Sequence, residues 1–182
     1  MNVLDFAEVI GKLKKIKRSG WVRIGVADPE SVADHIFRLS TLALVTAHEL
    51  NVDQEKIVRM ALVHDLGESI IGDIVVDRGG KTVGSPDEKH FKERQAIESI
   101  LGGLKDGQEL ISLWDEFEHQ ESRESKILRQ LDRLEMIVSA LEYEKDSNDS
   151  KKFNEFWESA RKTIKEPLIV DWFKQLELKR KK

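Results

Sequence analysis

Four ionisable residues stand in a stretch that otherwise reads as core: "ALVHDLGESIIGDI", residues 61–74, sets His64, Asp65, Glu68 and Asp73 among Leu, Ile and Val. Burying a polar group without a partner costs roughly 2 to 7 kcal/mol, and a lone charge costs more. Two further residues share this character: His35 heads the helical face of Leu39 and Leu42, and Asp132 stands among Leu128, Leu131 and Met136. Taken singly, each has an ordinary reading. A lone histidine on an apolar face is usually a hydrogen-bonded core residue, and Asp132 can pair with Arg129 or Arg133. The adjacent His64 and Asp65 are harder to dismiss, because aspartate is disfavoured inside helices and seldom buried unless paired. Two neutral imidazoles and two carboxylates would neutralise a divalent cation. That N/O donor set suits Mn, Co, Fe, Ni or Zn, and leaves positions for water and a substrate oxygen, as metal-assisted hydrolysis requires.

Bringing these groups together falls to helices. Pro occurs only at 29, 86 and 167, and helical periodicity dominates the rest, so the chain reads as all-α. A first helix is expected over about 3–17, and "RSGWVRIGVADPE", broken by Gly20, Gly25 and Pro29, is expected to be a loop. The second helix starts at Ser31, with Asp34 completing a capping box, and runs to about Leu50. The third is expected over 54–70, ended by Gly72, with His64 and Glu68 neighbours on one face. "DRGGKTVGSPDE", residues 77–88, reads as a loop long enough for a lid or site rim, closed by a Ser85 cap and Pro86 in the next first turn. Further helices follow to "GG", over about 107–118, through "ESKILRQLDRLEMIVSALEYEKD", near 150–165 and from Pro167, with Trp157, Trp172 and Phe173 as packing anchors. About eight helices in one domain, 1–182, are expected, without repeats.

Composition narrows the function classes. At 182 residues the chain can bury a core without a structural metal, so a bound metal is expected to be functional. With no cysteine, thiolate metal sites, disulfides and thiol catalysis are excluded. A net charge of −4 argues against a sequence-independent grip on nucleic acid. The N-terminus lacks a continuous apolar run and no stretch approaches membrane-spanning length, so a soluble cytoplasmic protein is expected.

A lone histidine, a His-Asp pair and a distant aspartate, here His35, His64 with Asp65, and Asp132, resemble the metal-dependent phosphohydrolases of the HD-domain family. The segments "GWV", "ESVADH", "ALVHDLGESIIGD" and "QLDRLEMIVSALEYE" are similar, in order and over nearly the whole chain, to the small HD-domain 5'-deoxynucleotidases. That group holds the bacterial YfbR-type enzymes and the eukaryotic HD domain-containing protein 2. The resemblance implies a compact HD domain, a homodimer, and release of phosphate from deoxynucleoside 5'-monophosphates. It implies one divalent ion per chain, with Mg joining the candidates above, on His35, His64, Asp65 and Asp132. It implies Glu68 as the catalytic acid and Asp73 as a second acidic residue acting in catalysis or on the sugar. Arg18 and Trp21 of "RSGW" match the family's substrate contacts, although the YfbR-type enzymes have the two adjacent; Arg23 is a further candidate for neutralising phosphate.

Two other readings stay open. One is an HD phosphohydrolase acting on a cyclic, triphosphate or hyperphosphorylated nucleotide, including a two-metal version that recruits His90 or His119. The other is a non-catalytic helical protein that holds an ion for stability or partner binding. The presence of Glu68 beyond the minimal ligand set argues against the latter, since a closed structural site needs no adjacent acid.

Overall fold

The computed structural model describes residues 2–74 and 86–181 of the chain. Within them the architecture is all-α, in the order α1 (Val3–Gly11), α2 (Ser19–Arg23), α3 (Val32–Thr46), α4 (Gln54–Val63), α5 (Glu68–Ile71), α6 (Pro86–Leu101), α7 (Gly107–His119), α8 (Arg123–Lys145), α9 (Asn154–Thr163) and α10 (Pro167–Arg180). The excess over eight comes from α2 and α5, helical turns of five and four residues that are too short for periodicity to register.

Helix starts follow their capping residues. Ser31 Oγ accepts from the Asp34 backbone N–H at 3.2 Å and the Asp34 carboxylate accepts from the Ser31 N–H at 2.8 Å, satisfying two of the donors a helix start leaves free. Asn2 with Asp5 and Ser122 with Ser125 cap α1 and α8 in the same way. α3 packs on α4 and α8, α4 also on α7 and α8, and α8 carries α9 and α10 on its far side. The core between them holds Leu39, Ile57, Met60, Trp114, Phe117, Leu128 and Leu131, each essentially inaccessible to water. Trp157 and Phe173 belong to it as well, so these two anchors are buried under the C-terminal helices and not offered as a free surface.

The sequence reading needs three corrections. The first helix ends at Gly11 and continues as a 3-10 turn, Lys12–Lys15. The segment 18–30 is not merely a loop: its base is closed by hydrogen bonds from Val32 N–H to Ile16 C=O at 2.9 Å and from Arg18 N–H to Glu30 C=O at 3.1 Å, and α2 forms inside it. The expected third helix is broken. α4 stops at Val63, and hydrogen bonds from Leu66 to Val63, Glu68 to Asp65 and Ser69 to Leu66 tighten the chain to three-residue turns. Asp65 and Gly67 are poor helix formers, and Gly67 lies against α6, where an added Cβ would meet the Glu93 carbonyl at 3.4 Å. Gly72, at φ +78°, ends α5 in a backbone conformation that other residues rarely adopt. The proposed lid and its Ser85 cap lie outside the described residues, apart from the last few positions of that segment, where α6 begins at Pro86.

Candidate active site

The break in α4 decides how the His-Asp pair is presented. His64 caps the C-terminal end of α4, its backbone N–H bonded to the Met60 carbonyl at 3.0 Å and its own carbonyl accepting from the Trp114 indole N–H at 3.0 Å. Because the chain then tightens, His64, Asp65 and Glu68 all reach one cavity of about 570 Å³ instead of lying along one helical face. Every residue expected at the site lines this cavity except His35, which is fully buried beneath it on α3.

Three ligand atoms, from His35, His64 and Asp132, lie within 4.8 Å of one another. His35 Nε2 is 3.4 Å from His64 Nε2, 3.5 Å from Asp132 Oδ1 and 3.7 Å from Asp65 Oδ2, and His64 Nε2 is 3.1 Å from Asp65 Oδ2. Protons on the far sides of the rings explain the arrangement. His35 Nδ1 faces Glu135 Oε2 at 2.6 Å and His64 Nδ1 faces the Ala61 carbonyl at 2.8 Å; both oxygens only accept, so both Nδ1 atoms donate. In the neutral imidazoles each Nε2 is then a lone pair, and the two lone pairs and two carboxylates converge. Two imidazole acceptors at this separation gain nothing from each other. A divalent cation satisfies the His35, His64 and Asp132 donors, so this His-His-Asp set fits such an ion.

The electrostatics of the individual groups follow from this crowding. Burial works against the Asp65 carboxylate, yet His64, Arg18 and His35 hold its pKa well below the usual range. Burial likewise opposes the charged His64, but Asp65, Asp132 and the Ala61 carbonyl carry its pKa above the ordinary histidine value. Glu68 goes the other way: burial, then the negative charges of Asp65 and Asp73, push its carboxyl up to about 10. Its Oε2 is buried without a hydrogen-bond partner among the described residues.

The expected substrate contacts are placed as follows. Arg18 Nη1 donates to Asp65 Oδ2 at 3.2 Å. Arg23 pairs with Glu155. Trp21 is buried against Phe156 and Tyr143, its indole N–H donating to Glu30 Oε1 at 2.9 Å. Asp73 anchors α2: its carboxylate accepts from the Ser19 backbone N–H at 2.7 Å and its carbonyl from the Ser19 hydroxyl at 2.6 Å. His90 stacks on Trp114 and pairs with Glu118 at 3.7 Å, with its ring 5.6 Å from that of His119; neither histidine joins the buried cluster.

Sequence reasoning missed the support behind His35. Glu135, fully buried, also accepts from Arg38 Nε at 2.8 Å, and Arg38 Nη2 reaches Glu30 Oε2 at 2.9 Å, the carboxylate that receives the Trp21 indole N–H. Ser139 Oγ accepts from Arg38 at 2.6 Å in the same network. A signal existed, since Glu135 stands between Leu134 and Met136 three residues beyond Asp132.

Known proteins share this arrangement's fold. The HD domain family model matches residues 10–170. The 5'-deoxynucleotidase HDDC2 of Danio rerio is 40% identical over 182 residues, covering 98% of this chain and 88% of that protein. The human protein of the same name is 37% identical over 182 residues, covering 98% of this chain and 86% of its own length. The crystal structure of PH0347 protein from Pyrococcus horikoshii OT3 matches with a TM-score of 0.79 at 30% identity, over 96% of this chain and 98% of that one. With residues 10–170 matched by the family model and nearly the whole chain covered by these relatives, this chain belongs to the HD domain family.

Proposed function

We propose that the chain is a metal-dependent 5'-deoxynucleotidase, which hydrolyses a deoxynucleoside 5'-monophosphate to the deoxynucleoside and phosphate. The observation that carries this reading is the convergence of two histidine lone pairs and two carboxylates on the floor of a cavity that also presents Arg18 and the Glu68 carboxyl. The names of the Danio rerio and human relatives supply the substrate class. In this reading His35, His64, Asp65 and Asp132 hold one divalent ion, which when bound supplies charge to polarise a phosphoryl oxygen and to acidify water. No described helix is long and apolar enough to cross a membrane. A cytoplasmic location, a homodimer and a single domain over 1–182 are parts of the same proposal, the homodimer drawn from the sequence resemblance and the other two from the composition and pattern of the chain.

The chain's own groups divide the work. In hydrolysis the bond from phosphorus to the sugar 5'-oxygen breaks, a bond from phosphorus to the water oxygen forms, and a proton passes from the water to the sugar oxygen. Glu68, whose carboxyl is pushed up by burial and by the charges of Asp65 and Asp73, is placed to give that proton to the leaving oxygen and to take one from the water in return. Arg18, committed to Asp65 through Nη1, has further N–H donors to turn towards a phosphate. Arg23 lies farther out in its pair with Glu155 and adds positive field. Trp21, fixed by Glu30, Tyr143 and Phe156, forms a rigid wall for the sugar, and Asp73 serves the sugar hydroxyl or the proton path while holding α2.

Phosphate release from a panel of deoxy- and ribonucleoside 5'-monophosphates, cyclic nucleotides and triphosphates tests this reading. Release from the deoxynucleoside monophosphates is expected, abolished by chelator and restored by a divalent metal. No release from these under any of Mn, Co, Mg, Ni, Fe or Zn overturns it. Metal content per chain and light scattering report the ion count and the homodimer in the same samples.

A further inference from the structure

Among the described residues, five cationic side chains line the cavity: Arg18, Arg23, Lys89, Arg129 and Arg133. Four are committed to carboxylates. Arg18 bonds Asp65 at 3.2 Å, Arg23 bonds Glu155, Lys89 lies 3.3 Å from Glu93, and Arg129 lies 3.5 Å from Glu118 with its guanidinium 4.2 Å over the Phe117 ring. Arg133 differs from all of them. Among the described residues it forms no ion pair, its Nη1 meets only the Met136 sulfur at 3.8 Å, and its Nε is buried without a partner. A thioether is a weak acceptor, and a buried donor of a charged group left unsatisfied costs more than the roughly 1 to 3 kcal/mol of a neutral one. The fold therefore keeps, at a cost, a guanidinium whose hydrogen-bond donors its described neighbours leave unsatisfied.

Its location says what would offset it. Arg129, Asp132, Arg133 and Met136 follow one another at i, i+3, i+4 and i+7 on α8 and line the same wall, so Arg133 stands beside the carboxylate that meets His35. A guanidinium presents a planar fork of donors that matches phosphate oxygens, and a monophosphate brings close to two negative charges that the four committed cations no longer balance fully.

We propose that Arg133 is a phosphate-binding residue of this cavity, gripping the nucleotide's phosphoryl oxygens from the α8 side opposite Arg18. This rests on the proposed deoxynucleotidase reading for its substrate, but not for its test. Arg133→Gln and Arg133→Lys are compared with the wild-type chain, all metal-loaded, by calorimetry with inorganic phosphate and separately with a 2'-deoxynucleoside, alongside KM and kcat for the monophosphate. Arg133→Gln is expected to weaken phosphate roughly 10- to 100-fold and raise KM in parallel, with deoxynucleoside affinity and metal content unchanged. Arg133→Lys, which keeps the charge without the fork, is expected to recover part of the loss and to serve if the glutamine variant folds poorly. Unchanged phosphate affinity in Arg133→Gln, or equal losses for phosphate and deoxynucleoside, overturns the proposal. A wild-type chain that binds phosphate but releases none from deoxynucleotides sinks the deoxynucleotidase reading alone, since the phosphate calorimetry still decides Arg133.

Discussion

The two sides of the His35 ring hold the same kind of chemistry in opposite states. On the Nδ1 side Glu135, Arg38, Glu30 and Ser139 satisfy one another at 2.6 to 2.9 Å, and the network ends on the Trp21 indole and on Glu142. On the Nε2 side, contacts of 3.4 to 3.7 Å join groups that cannot all be satisfied together, and Glu68 Oε2 and Arg133 Nε have no described partner nearby. Both sides are buried and ionic. Completed networks rigidify, whereas unsatisfied buried groups are costly and persist only where something else requires them. The Nδ1 side is therefore scaffold and the Nε2 side is where ligands complete the chemistry.

The sharpest way to break this distinction is on the ligand side. Asp65→Ala removes a carboxylate from the convergent set and is expected to lose metal and turnover together, by roughly 10³-fold or more in rate. Glu68→Gln keeps the shape and is expected to retain metal while turnover falls about 10² to 10⁴-fold. Metal analysis and steady-state rates on both variants separate the roles; wild-type turnover in Glu68→Gln would remove Glu68 from the mechanism.

On the scaffold side, Glu135→Gln still fills its space but no longer requires a proton on His35 Nδ1, so the tautomer that frees Nε2 is less favoured. Metal affinity is expected to drop about 10- to 100-fold, read by competition with a chromogenic chelator, with KM for the nucleotide little changed at saturating metal. A variant with wild-type metal affinity would show that Glu135 only fills space.

The Nε2 side should also govern how stability depends on pH in the metal-free chain. The Glu68 carboxyl rises from an ordinary value of 4.5 to about 10, so between these limits the folded state holds a proton that the unfolded state has released. Stability is full below about pH 4.5 on this account and falls as pH climbs towards 10, by up to about 1.4 kcal/mol per unit. The raised pKa of His64 acts in the same direction. Asp65, Asp132 and Glu135, all lowered, contribute stability above their unfolded values and lose it as pH falls through the folded ones. Denaturant titrations of chelated protein from pH 5 to 9 are expected to show a downward slope that Glu68→Gln flattens; identical slopes would remove Glu68 as its source.

What was legible in the sequence follows the same division. His35, His64, Asp65 and Asp132 could be found because an ionisable residue inside an apolar pattern is an anomaly at the level of neighbours in the chain. Glu135 is the same anomaly, but 11 of the 23 residues of α8 are buried, so helical periodicity could not assign it an inward face. Arg38 and Glu135 are 97 residues apart, and nothing local announces their pairing. The break between Val63 and Glu68 depends on the approach of α6 to Gly67, again a tertiary contact. Local propensity was reliable where capping decides, as at Ser31 with Asp34, and failed where packing overrides a continuous helical pattern.

The smallest expected effect lies at the outer end of the scaffold. Arg38 Nη1 donates to both oxygens of Glu142, at 3.0 and 2.9 Å, a geometry as good as any in the network. Glu142 is half exposed, however, with 52% of its side chain accessible, whereas Glu135 is inaccessible. Water replaces most of what the exposed pair gives up, and such pairs contribute about 0.2 to 1 kcal/mol. Glu142→Gln is therefore expected to cost less than about 1 kcal/mol in denaturant unfolding and to leave metal affinity within about twofold. The contrast with Glu135→Gln separates a buried carboxylate that bonds His35 from an exposed one that, among the described residues, meets only Arg38, since both changes remove a carboxylate charge facing the same guanidinium. If the two variants lose equal metal affinity, distance from solvent does not rank this network, and Arg38 must transmit the loss of either carboxylate to His35 alike.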